Sequence, residues 1–172
     1  MIFVTVGVSE EPFDRLIKKI DELKNNGQIS ENVFLQTGNC KYKPICCQYQ
    51  KRLDYKSWVE MLDKARIVIC HGGLGSIIHV LYHSKIPIVV PRKKVFGEVP
   101  DDHQLGFTQH MEQERKIIAV YDVEDLQEKI YNYDRLCVKL GVQSHDASNI
   151  SYYIAKLHEI CHQLENRQPS LK

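Results

Sequence analysis

Residues 67–94, IVICHGGLGSIIHVLYHSKIPIVVPRKK, decide how the rest of the chain is read. The stretch opens as a β-branched apolar run with no polar alternation, the pattern of a strand covered on both faces. Glycines then fall at positions 72, 73 and 75. From Leu74 the apolar residues recur at helical spacing, and IPIVVP forms a second β-branched run closed by Pro91. Strand, glycine turn, helix and strand in that order are the parts of a parallel βαβ unit.

The flanking sequence repeats the pattern. IFVTVG (2–7) is another continuous apolar run cut off by glycine, and NVFLQTG (32–38) is a third. Between them Phe13, Leu16, Ile17, Ile20 and Leu23 share one helix face, with Gly27 as a stop. Residues 39–53 are irregular. YKSWVEMLDKA (55–65) reads as a helix with Trp58, Met61 and Leu62 on one face. Beyond Pro91 come a charged loop (92–101), a helix (102–115), a strand (117–121) and one long helix (123–141) ending at Gly141. Tyr131 and Tyr133 are expected on the surface of that helix. A last amphipathic helix covers about residues 147–166. The expectation is an α/β fold: one domain over residues 1–165, a Rossmann-like parallel sheet with helices on both faces. Ligands of such sheets bind beyond the carboxyl ends of the strands, so the loops after residues 6, 37, 70 and 91 matter most.

Composition narrows the function classes. The chain has 172 residues, 43% of them apolar and 26% charged, and a net charge of +1. No global field draws it to nucleic acid or to an anionic membrane. No stretch has the apolar length of a membrane span, and the first apolar run is too short for a signal peptide. An intracellular protein with reduced thiols is expected. Cys40, Cys46, Cys47, Cys70, Cys137 and Cys161 contain no C-x-x-C pair, and Cys70 reads as a small core residue.

The glycine turn at 72–75 has two readings. Glycines let the backbone approach a ligand closely, and the free N–H groups of the helix that follows face an anion, with Ser76 adding a hydroxyl. This favours phosphate or diphosphate. The alternative is a tight turn that needs glycine for packing alone. There is no G-x-x-x-x-G-K-[ST], and the turn after the first strand lacks G-x-G-x-x-G. The next loop, PRKKVFGEVPDDHQ (91–104), offers Asp101, Asp102, His103 and Gln104, groups suited to sugar hydroxyls, with Arg92 and the lysines to meet negative charge. Its alternative is a solvated connection in which Asp101 or Asp102 caps a helix. One loop for phosphate and the next for hydroxyls suggests a nucleotide-sugar.

MIFVTVG with FDRLI, HGGLGS with KIPIVVPR, and FGE with DDHQ together resemble the small soluble subunit of two-part UDP-sugar glycosyltransferases (PssE/EpsF-like). These are similar to the carboxyl-terminal half of MurG, the glycosyltransferase family 28 C-terminal domain. The resemblance covers roughly residues 1 to 125. It implies one half of a GT-B fold, binding the UDP-sugar, with a separate membrane-associated partner subunit that holds a lipid-linked sugar acceptor. It further implies an inverting transfer of a hexose, in extracellular or capsular polysaccharide synthesis, at the inner face of the membrane. No cofactor and no metal are expected. By that match the binding candidates are His71, Gly72, Gly73, Gly75, Ser76, Asp102, His103 and Gln104, with Gly7 facing the same cleft. Arg92 joins Ser76 as a candidate to stabilise the leaving diphosphate. For a base the chain offers His71, His103, Asp101, Asp102 and Glu98, but the resemblance places the base in the partner. Relatives often carry a ribose-binding Glu where this chain has His79, and this chain also departs from them at Leu74 and Val8. A nucleotide-sugar-binding regulatory module without turnover is the alternative function.

HEICH (158–162) matches the zinc-protease pattern H-E-x-x-H. Without a credible third ligand after it, and with apolar residues at core spacing around it, an amphipathic helix is the expected reading. His79 and His83, also four apart, are expected to be surface or core residues.

Overall fold

The computed structural model describes residues 1–141. Strands β1 (Ile2–Thr5), β2 (Val33–Gln36), β3 (Gln48–Gln50), β4 (Ile67–His71), β5 (Ile88–Val90) and β6 (Ile118–Ala119) form one sheet. Every neighbouring pair is parallel, and the spatial order is β3-β2-β1-β4-β5-β6. The chain starts in the middle of the sheet, builds one side, returns to the middle and builds the other. Winding therefore reverses between β1 and β4, the point at which open α/β sheets bind ligands.

Continuous apolar strands bury both faces. Ile2, Val4, Ile67, Ile69, Ile88 and Val90 pack with residues of α1 (Asp14–Asn25), α5 (Leu126–Tyr131) and α6 (Tyr133–Leu140). Their neighbours in sequence point the other way. Phe3 and Val68 meet Leu62 and Val80 of α2 (Tyr55–Lys64) and α3 (Leu74–Tyr82), while Cys70 and Val89 meet Ile77 of α3 and Met111 of α4 (His103–Gln113). Each fully buried side chain of this kind contributes about 1.5–3 kcal/mol. Cys70 is completely buried, as expected, and burial pushes its thiol far up from the ordinary range. Among the described residues no helix is long and apolar enough to cross a membrane.

Residues 39–53 are not wholly irregular, because they contain the edge strand β3. All three of its residues are exposed, so no apolar run betrays it. Its approach is held by α1. Asp14 accepts from the backbone N–H groups of Lys41 and Tyr42. Asp21, only 2% exposed, accepts from the amides of Ile45, Cys46 and Cys47 and from the Tyr42 hydroxyl, at 2.8–3.0 Å.

The long helix expected at 123–141 is in fact a 3₁₀ turn (Val123–Asp125), α5 and α6, broken at Asn132. The break sets Tyr133 facing inward. Its ring is 6% exposed and its hydroxyl donates to the Ile86 carbonyl at 2.8 Å, so Tyr133 is a core residue and not a surface aromatic. Tyr131 is exposed, and α6 ends at Gly141 in the left-handed region, both as expected. The helix expected at about 147–166, with HEICH and Cys161, lies outside the described residues.

Burial opposes the charge of Asp21, but the Ile45 and Cys46 amides and the Tyr42 hydroxyl outweigh it and hold the carboxyl below its ordinary value. A depressed carboxylate stabilises the fold above its unfolded pKa, and the contribution is lost as pH falls through the folded one. Asp21→Asn should therefore cost about 2–4 kcal/mol at neutral pH, because the new NH2 group faces donors that lose their acceptor and the charge that strengthens the remaining bonds is gone. Urea denaturation should show the gap from the parent shrinking below about pH 4; a gap independent of pH would refute the ionic role.

Candidate functional site

β1 and β4 are paired with Thr5 opposite Cys70, which brings the turns that follow them to the same level. The His71 ring fills the space between those turns. A Cβ on Gly7 would lie 2.6 Å from His71 Cε1, and one on Gly73 would overlap the same ring. Gly7 also has φ +75°, closed to most side chains. A Cβ on Gly72 would meet Thr108 Oγ1 at 2.8 Å and Gln104 Cβ at 3.1 Å. These three glycines are demanded by packing. Gly75 is different: nothing lies within 4 Å of its Cβ position. The glycine turn thus combines the two readings of the sequence, with packing at 7, 72 and 73 and free approach at 75.

His71 is half-buried, and its Nδ1 is buried without a hydrogen-bond partner. Burial, followed by the charge of Arg92, pushes its pKa down to about 4. The ring is neutral at neutral pH and acts as a packing block under the turn.

Beside the turn opens a cavity of about 420 Å³, within the range of small-molecule sites. Gly75 and Ser76, in the first turn of α3, form one wall, and Thr5, Gly7 and Val8 form another. Leu53, Tyr55, Trp58 and His79 make an apolar, mostly aromatic side. The His79 ring meets Trp58 edge-on at 5.6 Å between centroids and Tyr55 at 6.0 Å. No side chain caps the start of α3 and no acid lies in its first turn, so the positive end of the helix faces this space. Gln36 sets the floor. Its Oε1 accepts from Thr5 Oγ1 at 2.7 Å and from the Gly7 amide at 3.2 Å, while its Nε2 donates to the carbonyls of Gly7 and Lys51 at 3.0 Å. One buried amide side chain thereby fixes the turn after β1 against the end of β3.

The loop between β5 and α4 departs from its sequence reading. Arg92 is 1% exposed and does not face the cavity. Its guanidinium donates to the carbonyls of Val6 (2.9 Å), Glu11 (2.8 Å) and Glu98 (3.1 Å). The expectation that Arg92 touches a ligand's negative charge is corrected: the side chain is consumed by backbone acceptors. Gln104 is 6% exposed and its Oε1 accepts from the Arg92 amide at 3.2 Å, so that oxygen is turned away from solvent. Glu98, one of the possible bases, is committed to Arg15 at 3.0 Å and to the Lys93 amide at 2.9 Å. Asp102 and His103 are exposed at the start of α4. Asp102 accepts from the Lys94 amide at 2.9 Å, and Asp101, not Asp102, accepts from the His103 amide and pairs with its ring. The His103 amide holds the Asp101 carboxyl below its usual range. Of the sequence candidates the structure unites Gly7, Gly75 and Ser76 in the cavity, with His71, Gly72 and Gly73 behind it. Asp102 and His103 lie outside its lining, and Arg92 and Gln104 are support.

The chain matches the family model of the glycosyltransferase family 28 C-terminal domain over residues 1–155. It belongs to that family. The membership and the all-parallel sheet agree on a Rossmann-like GT-B half, and the family is one of nucleotide-sugar-binding glycosyltransferases. No curated protein matches the chain.

For a family 28 domain the most telling omission in the sequence reading is the apolar wall. Leu53 and Tyr55 follow a strand that has no apolar signature, and Trp58 carries a helix-face pattern that reads as core. The available signal was Tyr55 and Trp58 at i, i+3 with Tyr55 exposed at a capped helix start, where Asp54 accepts from the Ser57 amide at 2.7 Å. His79, noted as a departure from relatives, does line the cavity.

The glycines can be told apart by stability alone. Gly7→Ala and Gly73→Ala should each cost about 1–3 kcal/mol through contact with His71, aggravated at Gly7 by its backbone angle. Gly75→Ala should be neutral or stabilise by up to about 1 kcal/mol, since alanine is the better helix former and meets nothing. Thermal unfolding of the three variants decides it; equal losses would contradict the division.

Proposed function

We propose that this chain is the donor-binding half of a two-part UDP-sugar hexosyltransferase. The observation that carries the reading is the cavity at the strand-order reversal, where the uncapped start of α3 adjoins an aromatic wall. A nucleotide has the same two-part chemistry. Its diphosphate suits the α3 amides and the Ser76 hydroxyl, and its base and ribose suit Leu53, Tyr55, Trp58 and His79. The hexose then extends toward the start of α4, where Asp102 and His103 are exposed and keep atoms that can bond hydroxyls beyond their contacts with Lys94 and Asp101. Uridine as the nucleoside follows from the resemblance of the HGGLGS and DDHQ motifs.

In the transfer, N–H donors already aimed at the diphosphate stabilise charge as the glycosidic oxygen departs, with no reorganisation at the moment of reaction. The neutral His71 block keeps those donors in place. The acceptor hydroxyl, on a sugar carried by a lipid diphosphate, and the base that deprotonates it come from a membrane-associated partner subunit. That arrangement holds this chain at the inner face of the membrane. Polysaccharide assembly is the process to which such a transfer belongs.

Calorimetry with UDP, UDP-glucose, UDP-galactose, UDP-GlcNAc and UDP-glucuronate, against NAD and ATP, tests the donor reading. Selective uridine-nucleotide binding is expected, and the ranking names the donor. Trp58 is the only tryptophan, so its fluorescence should change on binding. Gly75→Asp is the clean probe of the anion site, because an acid in the first turn of a helix favours folding while it repels phosphate. It should keep its melting temperature and lose about 1–3 kcal/mol of UDP affinity. Unchanged affinity would sink the phosphate assignment. Sugar transfer to a lipid-linked acceptor, appearing only with the co-expressed partner, separates the enzyme from a binding module.

A further inference from the structure

We propose that the β3 edge of the sheet, with the segment that passes α1 to reach it, is a docking surface for an anionic lipid bilayer. It stands whether or not the cavity binds a nucleotide-sugar.

The net charge of +1 conceals a local imbalance. Residues 39–56 carry Lys41, Lys43, Lys51, Arg52 and Lys56 against one acid, Asp54, a net +4 that leaves −3 for the rest of the chain. All five cations are exposed, and none is ion-paired with a described residue. Asp54, which Lys56 does influence, accepts from the Ser57 amide as the cap of α2. From α1, Asp14 and Asp21 face the segment, but their carboxylates accept from its amides and from the Tyr42 hydroxyl. Lys18 of α1 is exposed as well and stands 5.9 Å from the centroid of the Tyr42 ring, so it extends the basic strip. Glu22, one turn beyond Lys18, is exposed and makes no ion pair with these cations. Clusters of this size are what the negative surface of a bilayer attracts.

The strip also has an apolar point. Ile45, between Lys43 and Lys51 in sequence, is 86% exposed. It is no loose end: Pro44 and Cys47 beside it are buried, and buried Asp21 accepts from the amide of Ile45 itself at 2.8 Å. The backbone is tied down and the side chain is left in water. Tyr49 of β3 adds an exposed ring with an apolar body and a polar tip. Negative headgroups above hydrocarbon meet both parts at once, the lysines at the surface and the isoleucine just below it. A nucleic-acid backbone or an acidic protein strip would meet the lysines and leave the isoleucine in water. Leu53 and Tyr55, which line the cavity, follow Arg52 closely, so a bilayer held by this edge lies beside the cavity mouth.

The test is sedimentation of the full chain, with no other protein present, on vesicles of phosphatidylcholine alone or mixed equally with phosphatidylglycerol. Binding is expected on the mixed vesicles only, and it should fade as salt screens the charges. Lys43→Gln, Lys51→Gln and Arg52→Gln should each weaken it about 5-fold, and Ile45→Ser about 3- to 10-fold. Arg135→Gln and Lys139→Gln on α6 make the same change in net charge and should leave it intact. Every side chain altered is exposed, so the variants should keep the parent's melting temperature. No binding to the mixed vesicles, equal binding to both kinds, or equal losses for the α6 variants would overturn the proposal. So would an Ile45→Ser variant that binds like the parent while the lysine variants lose vesicles and heparin alike, since that pattern marks a general polyanion surface.

Discussion

The pairing of β1 with β4 governs the molecule. Both strands are central, both are buried on two faces, and their register sets Thr5 beside Cys70. From that single alignment the turns after the two strands emerge at one level, close enough that the His71 ring must fit between them. Any side chain larger than hydrogen at positions 7 or 73 would drive the turns apart. The strand order reverses at the same place, so the helices that follow β1 and β4 depart on opposite faces and leave a crevice between them. The cavity is a geometric consequence of the pairing.

What makes that crevice a rigid rim is a small set of buried polar side chains aimed at backbone. Gln36 clamps the Gly7 peptide from both its amide and its carbonyl. Asp21 gathers three amides of the segment leading to β3. Arg92 collects three carbonyls from the loops after β1 and β5. Each satisfies groups that would otherwise be buried without partners, and each joins segments far apart in sequence. Loops held this way keep the groups that line the cavity in fixed positions, the preorganisation on which electrostatic stabilisation of a bound ligand depends. A family 28 domain that binds a nucleotide-sugar has use for such a rim.

Much of this was legible in the residues. Continuous apolar runs separated by helical periodicity specify a doubly covered parallel sheet, and five of the six strands show it. The glycine turn was legible as a strand-to-helix junction, since glycines and Ser76 separate a β-branched run from an apolar helix. β3 was not legible, because an exposed edge strand has no apolar run. Tyr133 was not, because its helical spacing is compatible with either face until a break at Asn132 turns it inward. The partners of Arg92 were not legible, because a polar side chain in a loop looks like a ligand contact unless the carbonyls that consume it are known.

The sequence by itself determined the class of fold, the place of the glycine turn along the chain and the family motifs, because these depend on local periodicity and on residues adjacent in order. The tertiary structure alone decided which polar groups remain free. Gly75 and Gly73 are two positions apart and chemically identical, yet one faces open space and the other a histidine ring. Likewise Tyr55, Trp58 and His79 form one wall only because α2 and α3 are packed side by side against the sheet. Freedom to bind is what remains after packing has satisfied everything else, and that remainder is a property of neighbours distant in sequence.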